Sequence, residues 1–279
     1  MAYRFGLIGE HIATSLSPVM FSWAFQHTES SGSYTLFDFP RRLARSFLLR
    51  ARVDWDGLNV TAPHKDLAYT LCDELSETAQ RARAVNTLVR KQGTLIGYNT
   101  DVAGFRFALE QRLELVSHAE KVLVIGTGGA ARAALVAISQ LLTPNEIAVA
   151  SRRPADALER ITHVLSAPFA PTLITHAKAR KRLHEFDIIV QATPVGHLSN
   201  PGFPLDPPFA FKPGALVFDL IYSPRRTLFL ETATSFGAIP ENGLVMLLAQ
   251  AAESYQIWTG KPFPLELAVR ELLPELRNS

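Results

Sequence analysis

A lysine at the end of an apolar run is a candidate for proton transfer, and Lys65 stands in that position. It closes the segment Asn59-Val60-Thr61-Ala62-Pro63-His64-Lys65, which follows Gly57 and Leu58. Open α/β sheets bind ligands in the crevice outside their strand ends. A lysine there acts as general acid or base when burial or a neighbour brings its pKa towards the working pH. Other polar residues follow other apolar runs: Ser15 and Ser17, Asn86-Thr87, and Asn99-Thr100-Asp101. Alone, Lys65 reads as a surface lysine and each of the others as a cap or turn residue. Together they supply an ammonium, a carboxylate, amides and hydroxyls at successive strand ends, the set that a small polyhydroxy substrate requires.

A second cluster is built on glycine. Gly126-Thr127-Gly128-Gly129-Ala130-Ala131 follows the apolar run from Val122 to Ile125 and opens an Ala- and Leu-rich segment. Glycines between strand and helix permit a tight turn and let backbone N–H groups approach a pyrophosphate, which the positive end of the helix favours. Ala131 occupies the third glycine position of the dinucleotide fingerprint, where alanine is tolerated. A purely structural turn is the alternative. An NAD site places a carboxylate about twenty residues further on, whereas the run here is Ala150-Ser151-Arg152-Arg153-Pro154. Forked, permanently charged guanidiniums suit a ribose 2′-phosphate. The expected cofactor is therefore NADP, with NAD as the alternative; without a ligand the arginines read as a solvated basic turn.

These residues need strands and helices to hold them. Strands are expected at Phe5 to Ile8, Tyr34 to Phe39 and Gly57 to Thr61, with a hairpin of Asn86 to Val89 and Thr94 to Tyr98 around a Lys-Gln-Gly turn. Ser17 is expected as an N-cap with Pro18 at the first helical position. Leu43, Phe47 and Leu48 mark another amphipathic helix. From about residue 104 a second α/β unit follows, with strands at Val122 to Ile125, Ile147 to Ala150, Asp187 to Val190 and Leu216 to Leu220, and a helix from Gly129 to Leu142. Two closing helices, Leu244 to Trp258 and Leu265 to Leu276, flank Pro262-Phe263-Pro264. The pattern predicts an α/β fold with an N-terminal α/β substrate domain whose sheet is largely parallel. A Rossmann-type, doubly wound dinucleotide-binding domain follows. The first domain comprises residues 1–103 and is completed by the returning helices, residues 243–279; the second spans 104–242.

Composition narrows the function classes. The 279 residues are 47% apolar, and 28 Lys and Arg balance 26 Asp and Glu to a net charge of +2. That balance offers no basic footprint for nucleic acid or an anionic membrane. Cys72 is the single cysteine, and no H-E-x-x-H pair is present, so no metal is expected. The first residues do not read as a signal peptide, and no apolar stretch is long enough to span a bilayer. The expectation is a cytoplasmic monomer or homodimer with a small-molecule substrate, without nucleic-acid or membrane partners.

In order along the chain, Ser15-Leu16-Ser17-Pro18, Asn59-Val60-Thr61 with Pro63-His64-Lys65, Ala84-Val85-Asn86-Thr87, Gly97, Asn99-Thr100-Asp101 and Gly104 form one half of a signature. Gly126-Thr127-Gly128-Gly129-Ala130, Ala192-Thr193-Pro194 with Gly196, Asp219 with Tyr222 and Pro224, and Gly243 through Met246-Leu247 to Gln250 form the other. With these motifs the sequence resembles the shikimate dehydrogenase family, including its quinate/shikimate members, over essentially its whole length. The resemblance implies reversible NADPH-dependent reduction of 3-dehydroshikimate to shikimate, in the pathway to chorismate and the aromatic amino acids. It implies Lys65 as proton donor and acceptor with Asp101 beside it. Ser15, Ser17, Thr61, Asn86, Thr100, Tyr222 and Gln250 would line the substrate pocket, the two serines receiving the substrate carboxylate. Gly126, Thr127, Gly128, Gly129, Ala130, Ser151, Arg152, Arg153, Thr193, Leu220 and Gly243 would meet the cofactor. Glu77 matches a position near it, although a helix-surface carboxylate is an equal reading.

The sequence also departs from the family pattern. Arg83 stands where glycine usually precedes Ala-Val-Asn-Thr, Phe21-Ser22 replaces His-Asn, and Ser151-Arg152-Arg153 replaces Asn-Arg-Thr. Gln191 and His197 replace the usual Asn and Met around Ala-Thr-Pro-x-Gly. Three rival functions stand beside this one: a quinate/shikimate dehydrogenase that prefers NAD, a non-catalytic homologue that senses a pathway metabolite, and a plain dinucleotide-binding interaction module.

Overall fold

The computed structural model describes residues 2–116, 119–165 and 170–278. The chain divides into two compact units, Met1–Gly104 with Leu247–Ser279, and Phe105–Met246.

The first unit alternates strand and helix: β1 (Tyr3–Gly9), α1 (Ser17–Gln26), β2 (Gly32–Asp38), α2 (Arg41–Asp54), β3 (Gly57–Val60), α3 (Lys65–Leu71), β4 (Glu74–Leu75) and α4 (Glu77–Ala82). β5 (Thr87–Lys91), β6 (Thr94–Tyr98) and α5 (Asp101–Glu110) follow. The sheet order is β2-β1-β3-β5-β6-β4. β1 runs parallel to β2 and β3, and β4 to β6, while β5 is antiparallel to both β3 and β6, so the sheet is largely parallel with β5 reversed. The cause is the tight turn at Gln92 and Gly93, whose φ values of 51° and 85° suit a two-residue hairpin. A chain reversed that quickly cannot make the crossover a parallel neighbour needs. On α2, Ala44 and Leu48 are buried, whereas Leu43, expected on the apolar face, is exposed.

The second unit contains β7 (Lys121–Ile125), α6 (Gly129–Leu141), β8 (Glu146–Ser151), α7 (Pro154–Thr162), β9 (Thr172–Thr175), α8 (His176–Lys181) and β10 (Ile188–Gln191). It continues with β11 (Leu216–Asp219), α9 (Leu228–Ser235) and β12 (Ile239–Asn242). All neighbouring strands are parallel, in the order β12-β11-β10-β7-β8-β9. Numbered within the unit, that is 3-2-1-4-5-6 read from the β9 edge, the doubly wound Rossmann order. Val122 to Ile125 are fully buried because β7 lies at the centre of this sheet. β9 and β12 were not apparent as apolar runs. Both are edge strands, and β12 carries Pro240, which a central strand would not accommodate.

The chain then forms α10 (Leu244–Thr259), α11 (Leu265–Arg270) and α12 (Leu272–Asn278). The expected single closing helix is broken after Arg270. Pro274 has no N–H to offer the Arg270 carbonyl, and its ring crowds that carbonyl. α10 seats on the first sheet through Trp258, whose Nε1 donates to the Leu88 carbonyl at 2.9 Å. The indole covers Gly57 so closely that a Cβ there would lie 2.3 Å from Trp258 Nε1. Gly57→Ala should therefore destabilise the first unit by about 1–3 kcal/mol through overpacking. Urea unfolding followed by Trp fluorescence measures this, and an unchanged midpoint would contradict the seating.

Candidate active site

The end of β3 is where the lysine is placed. Thr61 N–H donates to the Ile8 carbonyl at 2.9 Å, and His64 N–H donates to the Thr61 carbonyl at 2.9 Å. This turn delivers Lys65 as the first residue of α3, and the Lys65 carbonyl accepts from Val85 N–H at 3.1 Å. Asp101 is likewise the first residue of α5, just beyond β6. The Lys65 side chain is 15% exposed and that of Asp101 8%, and Lys65 Nζ donates to Asp101 Oδ2. A pair so shielded persists only if its remaining hydrogen-bonding capacity is used.

Asn86 supplies that match. Its Nδ2 donates to Asp101 Oδ1 at 2.9 Å and to Thr100 Oγ1 at 2.9 Å. Its Oδ1 accepts from Thr100 N–H at 2.7 Å and from the Thr87 hydroxyl at 3.1 Å. Two donors on one side and a carboxylate on the other fix the amide orientation. Gln250 Oε1, from α10, lies 3.5 Å from both Asn86 Nδ2 and Thr100 Oγ1.

Behind this layer the hydroxyls of Thr87, Thr100 and Ser254 lie 2.9–3.1 Å apart. Asn59 Nδ2 donates to Thr87 Oγ1 and Ser254 Oγ at 3.0 Å each, and Tyr34 OH donates to Asn59 Oδ1 at 2.8 Å. Ser254 gave no signal in sequence except its place one helical turn beyond Gln250.

Ser15 and Ser17 stand together after β1, their hydroxyls 3.2 Å apart. Ser17 is not the N-cap: α1 begins at Ser17 itself, and Ser15 Oγ accepts the Ser17 N–H at 3.3 Å. Leu16 occupies the N-cap position without a side-chain bond, and Pro18 moves to the second helical position. Thr61 is half-buried and packs against Gly9, where a Cβ would lie 2.4 Å from its Cγ2. In the first unit the structure thus groups Lys65, Asp101, Asn86, Thr100 and Gln250 in one hydrogen-bonded cluster. Glu77 is exposed in the first turn of α4. Arg83 follows α4 in a left-handed conformation, φ 45°, which explains why glycine suits that position.

The glycine loop lies in the second unit. Gly126 has φ 112°, and a Cβ there would come within 3.1 Å of Thr193 Cγ2 and 3.2 Å of the Ala192 carbonyl. These two loops follow β7 and β10, the strands between which a doubly wound sheet reverses its order and binds its ligand. Gly128 caps α6 without a side-chain hydrogen bond, and a Cβ on it would meet nothing within 4 Å. Thr127, Gly129 and Ala130 complete a helix entrance lined by backbone donors, which suits a pyrophosphate.

Beyond β8, Arg152 and Arg153 are exposed, and Arg153 lies 3.5 Å from the exposed Asp156 carboxylate. Ser151 Oγ accepts Arg153 N–H at 3.2 Å. Gln191, noted in sequence only as a departure, builds the Thr193 loop. Its Oε1 accepts Thr193 N–H at 2.7 Å, and its Nε2 donates to the Thr193 and Val195 carbonyls at 3.0 and 2.8 Å. Gly243 permits a close crossing, since its Cβ would lie 2.3 Å from the Leu220 carbonyl oxygen. Tyr222 is half-buried in the loop after β11. His197 bonds locally to Ser199, Nδ1 to Oγ 2.8 Å. Among the described residues no group of His, Cys, Asp and Glu could hold a metal ion, and no helix is long and apolar enough to cross a membrane.

Comparison with known proteins decides the family. Residues 7–88 match the shikimate dehydrogenase substrate binding domain, and residues 243–273 match the shikimate 5'-dehydrogenase C-terminal domain. The shikimate dehydrogenase (NADP(+)) of Lactococcus lactis subsp. cremoris is 36% identical over 97% of this chain and 96% of its own. The chain belongs to the shikimate dehydrogenase family. Among solved members of the family, shikimate 5-dehydrogenase from Thermus thermophilus in complex with NADP(H) and shikimate superimposes with a TM-score of 0.83. It is 32% identical, covering 99% of this chain and 100% of that one. Quinate dehydrogenase from Corynebacterium glutamicum in complex with NAD has a TM-score of 0.84 at 26% identity, covering 98% and 99% of the two chains.

Within this family member, Asn86 is the residue on which the cluster's geometry turns. Asn86→Ala leaves Asp101 Oδ1 and the buried Thr100 N–H without this partner, and should cost about 1–3 kcal/mol of stability in the first unit. Urea unfolding reads the change; a loss below about 0.5 kcal/mol, typical of neutral surface changes, would contradict the assigned role.

Proposed function

We propose that this chain catalyses the reversible NADPH-dependent reduction of 3-dehydroshikimate to shikimate, a CH–OH oxidoreduction of aromatic amino acid biosynthesis. The observation that carries this reading is the Lys65–Asp101 pair, shielded from water and fixed by Asn86 beside the end of β3. When bound, NADPH supplies the hydride. As charge grows on the substrate carbonyl oxygen, the Lys65 ammonium stabilises it and delivers the proton. Asp101 accepts a hydrogen bond from Lys65 and from the hydroxyl that forms. In the oxidising direction neutral Lys65 takes that proton back.

The remaining roles follow from the same reading. Ser15 and Ser17 receive the substrate carboxylate through adjacent hydroxyls, while Thr61, Asn86, Thr100, Tyr222 and Gln250 address the ring hydroxyls. The first unit is the substrate domain and the second the NADP domain. Gly126, Thr127, Gly128, Gly129 and Ala130 cradle the pyrophosphate. Ser151, Arg152 and Arg153 hold the 2′-phosphate, and Thr193, Leu220 and Gly243 border the nicotinamide half. Glu77 stands as a further cofactor contact.

Three measurements test the assignment. Purified protein is mixed with shikimate or quinate and NADP⁺ or NAD⁺ in all four combinations, and nicotinamide absorbance is followed. Shikimate with NADP⁺ should be fastest; turnover confined to quinate with NAD⁺ would favour the rival dehydrogenase, and none with any pair the sensing homologue. Lys65→Ala should lower kcat by about 100- to 10,000-fold with little change in the shikimate KM. Retained turnover would remove Lys65 from the chemistry. Arg152→Ala with Arg153→Ala should lower kcat/KM for NADP⁺ roughly 10- to 100-fold, the worth of one or two charge-assisted hydrogen bonds. NAD⁺ kinetics should stay near wild type, and equal losses with both cofactors would refute a 2′-phosphate role.

A further inference from the structure

We infer that Asp219 is a positioning residue: its buried carboxylate clasps both ends of the loop from Leu220 to Thr227 and so sets where Tyr222 stands. Asp219 closes β11 and is fully buried. Its Oδ1 accepts Ile221 N–H at 3.1 Å, and its Oδ2 accepts the Thr227 hydroxyl at 2.6 Å. Tyr222 and Pro224 lie on the segment between these two anchors. Other contacts make the loop a single body. Leu220 N–H donates to the Gln191 carbonyl at 2.9 Å, Gly243 N–H donates to the Ile221 carbonyl at 3.1 Å, and Asn242 Nδ2 donates to the Arg225 carbonyl at 3.2 Å. On another side, Gly196 leaves room for it: a Cβ there would lie 3.3 Å from Ile221 Cδ1 and 3.6 Å from Thr227 Cγ2. Asp219 adds side-chain hydrogen bonds at both ends.

A carboxylate without a cation is an expensive way to tie a loop, since burial penalises its charge. Burial accordingly pushes the Asp219 carboxyl up to about 6, against the opposing pull of Thr227 and Ile221. Its strand neighbours in register are Gln191 and Asn242, neither of which titrates. Glu241 beside Asn242 is paired with Arg112 at 2.5 Å, Glu231 on α9 is exposed, and Arg225 and Arg226 are the loop's own charges. None of these contributes to the shift. Ionised, Asp219 accepts from both anchors at once. Protonated, its hydroxyl can donate to Thr227 Oγ1 while the other oxygen still accepts Ile221 N–H, so both anchors hold in either state.

This inference rests on the reading that Tyr222 contacts substrate, and the test separates the two. Asp219→Ala removes the group that holds both anchors. Its shikimate KM should be raised roughly 5- to 50-fold, with a smaller change in kcat. Thr227→Val should behave similarly, whereas Thr227→Ser, which keeps the hydroxyl, should restore wild-type values. This Thr227 pair decides the matter if Asp219→Ala does not fold. Wild-type KM in folded Asp219→Ala or Thr227→Val, or a loss in kcat alone, would overturn the inference. A wild-type protein inactive on shikimate would instead overturn the functional reading.

Discussion

An ammonium and a carboxylate drawn out of water hold their geometry best when hydrogen bonds match the groups around them. The Lys65–Asp101 pair imposes this condition on much of the first unit. One Asp101 oxygen is taken by Lys65 and the other by Asn86, and Asn86 is in turn fixed by the Thr100 backbone and the Thr87 hydroxyl. Thr87 and Thr100 then require Ser254 and Asn59. The antiparallel β5–β6 hairpin has a purpose in this setting. It brings Asn86 at the start of one strand and Thr100-Asp101 past the end of the next to the same edge of the sheet as the β3 turn that delivers Lys65.

The second unit meets a different constraint, the close approach of backbone. Gly126 lets the turn after β7 pass the Ala192-Thr193 loop, and Gly243 lets the chain pass Leu220. Where a side chain would have crowded a ligand or a crossing strand, glycine leaves backbone groups within reach. Polar side chains then fix the loops that have no regular ladder: Gln191 shapes the loop at Thr193, and Asp219 the loop at Tyr222. In both units the residues proposed to meet ligand lie at strand ends or helix starts, and they are held from behind by amides, hydroxyls and one carboxylate.

Much of this was legible in the residues. The apolar run at β7, the glycines after it and the alternating strand–helix spacing specify a Rossmann unit because a doubly covered parallel strand needs that composition. Lys65, Asn86 and Asp101 could be picked out because each is a polar residue that follows an apolar run. What escaped notice has physical causes as well. β9 and β12 are edge strands with one pairing partner, so neither needs a continuous apolar sequence. The cap of α1 fell one residue out, at Leu16, whose apolar side chain carries no capping signal, while Ser15 Oγ accepts the Ser17 N–H. Pro274 was visible, but its effect appears four residues earlier, at Arg270. Ser254 and Asn59 act through long-range hydrogen bonds, for which a linear pattern carries no mark.

The central claim is that one amine and one carboxylate, fixed in advance, address a single hydroxyl of the substrate. A crystal structure of the protein with shikimate and NADP⁺ tests it most directly. One ring hydroxyl should lie about 2.6–3.2 Å from both Lys65 Nζ and an Asp101 oxygen, with Asn86 still bonded to the other oxygen. Shikimate bound with that hydroxyl touching neither side chain would contradict the account.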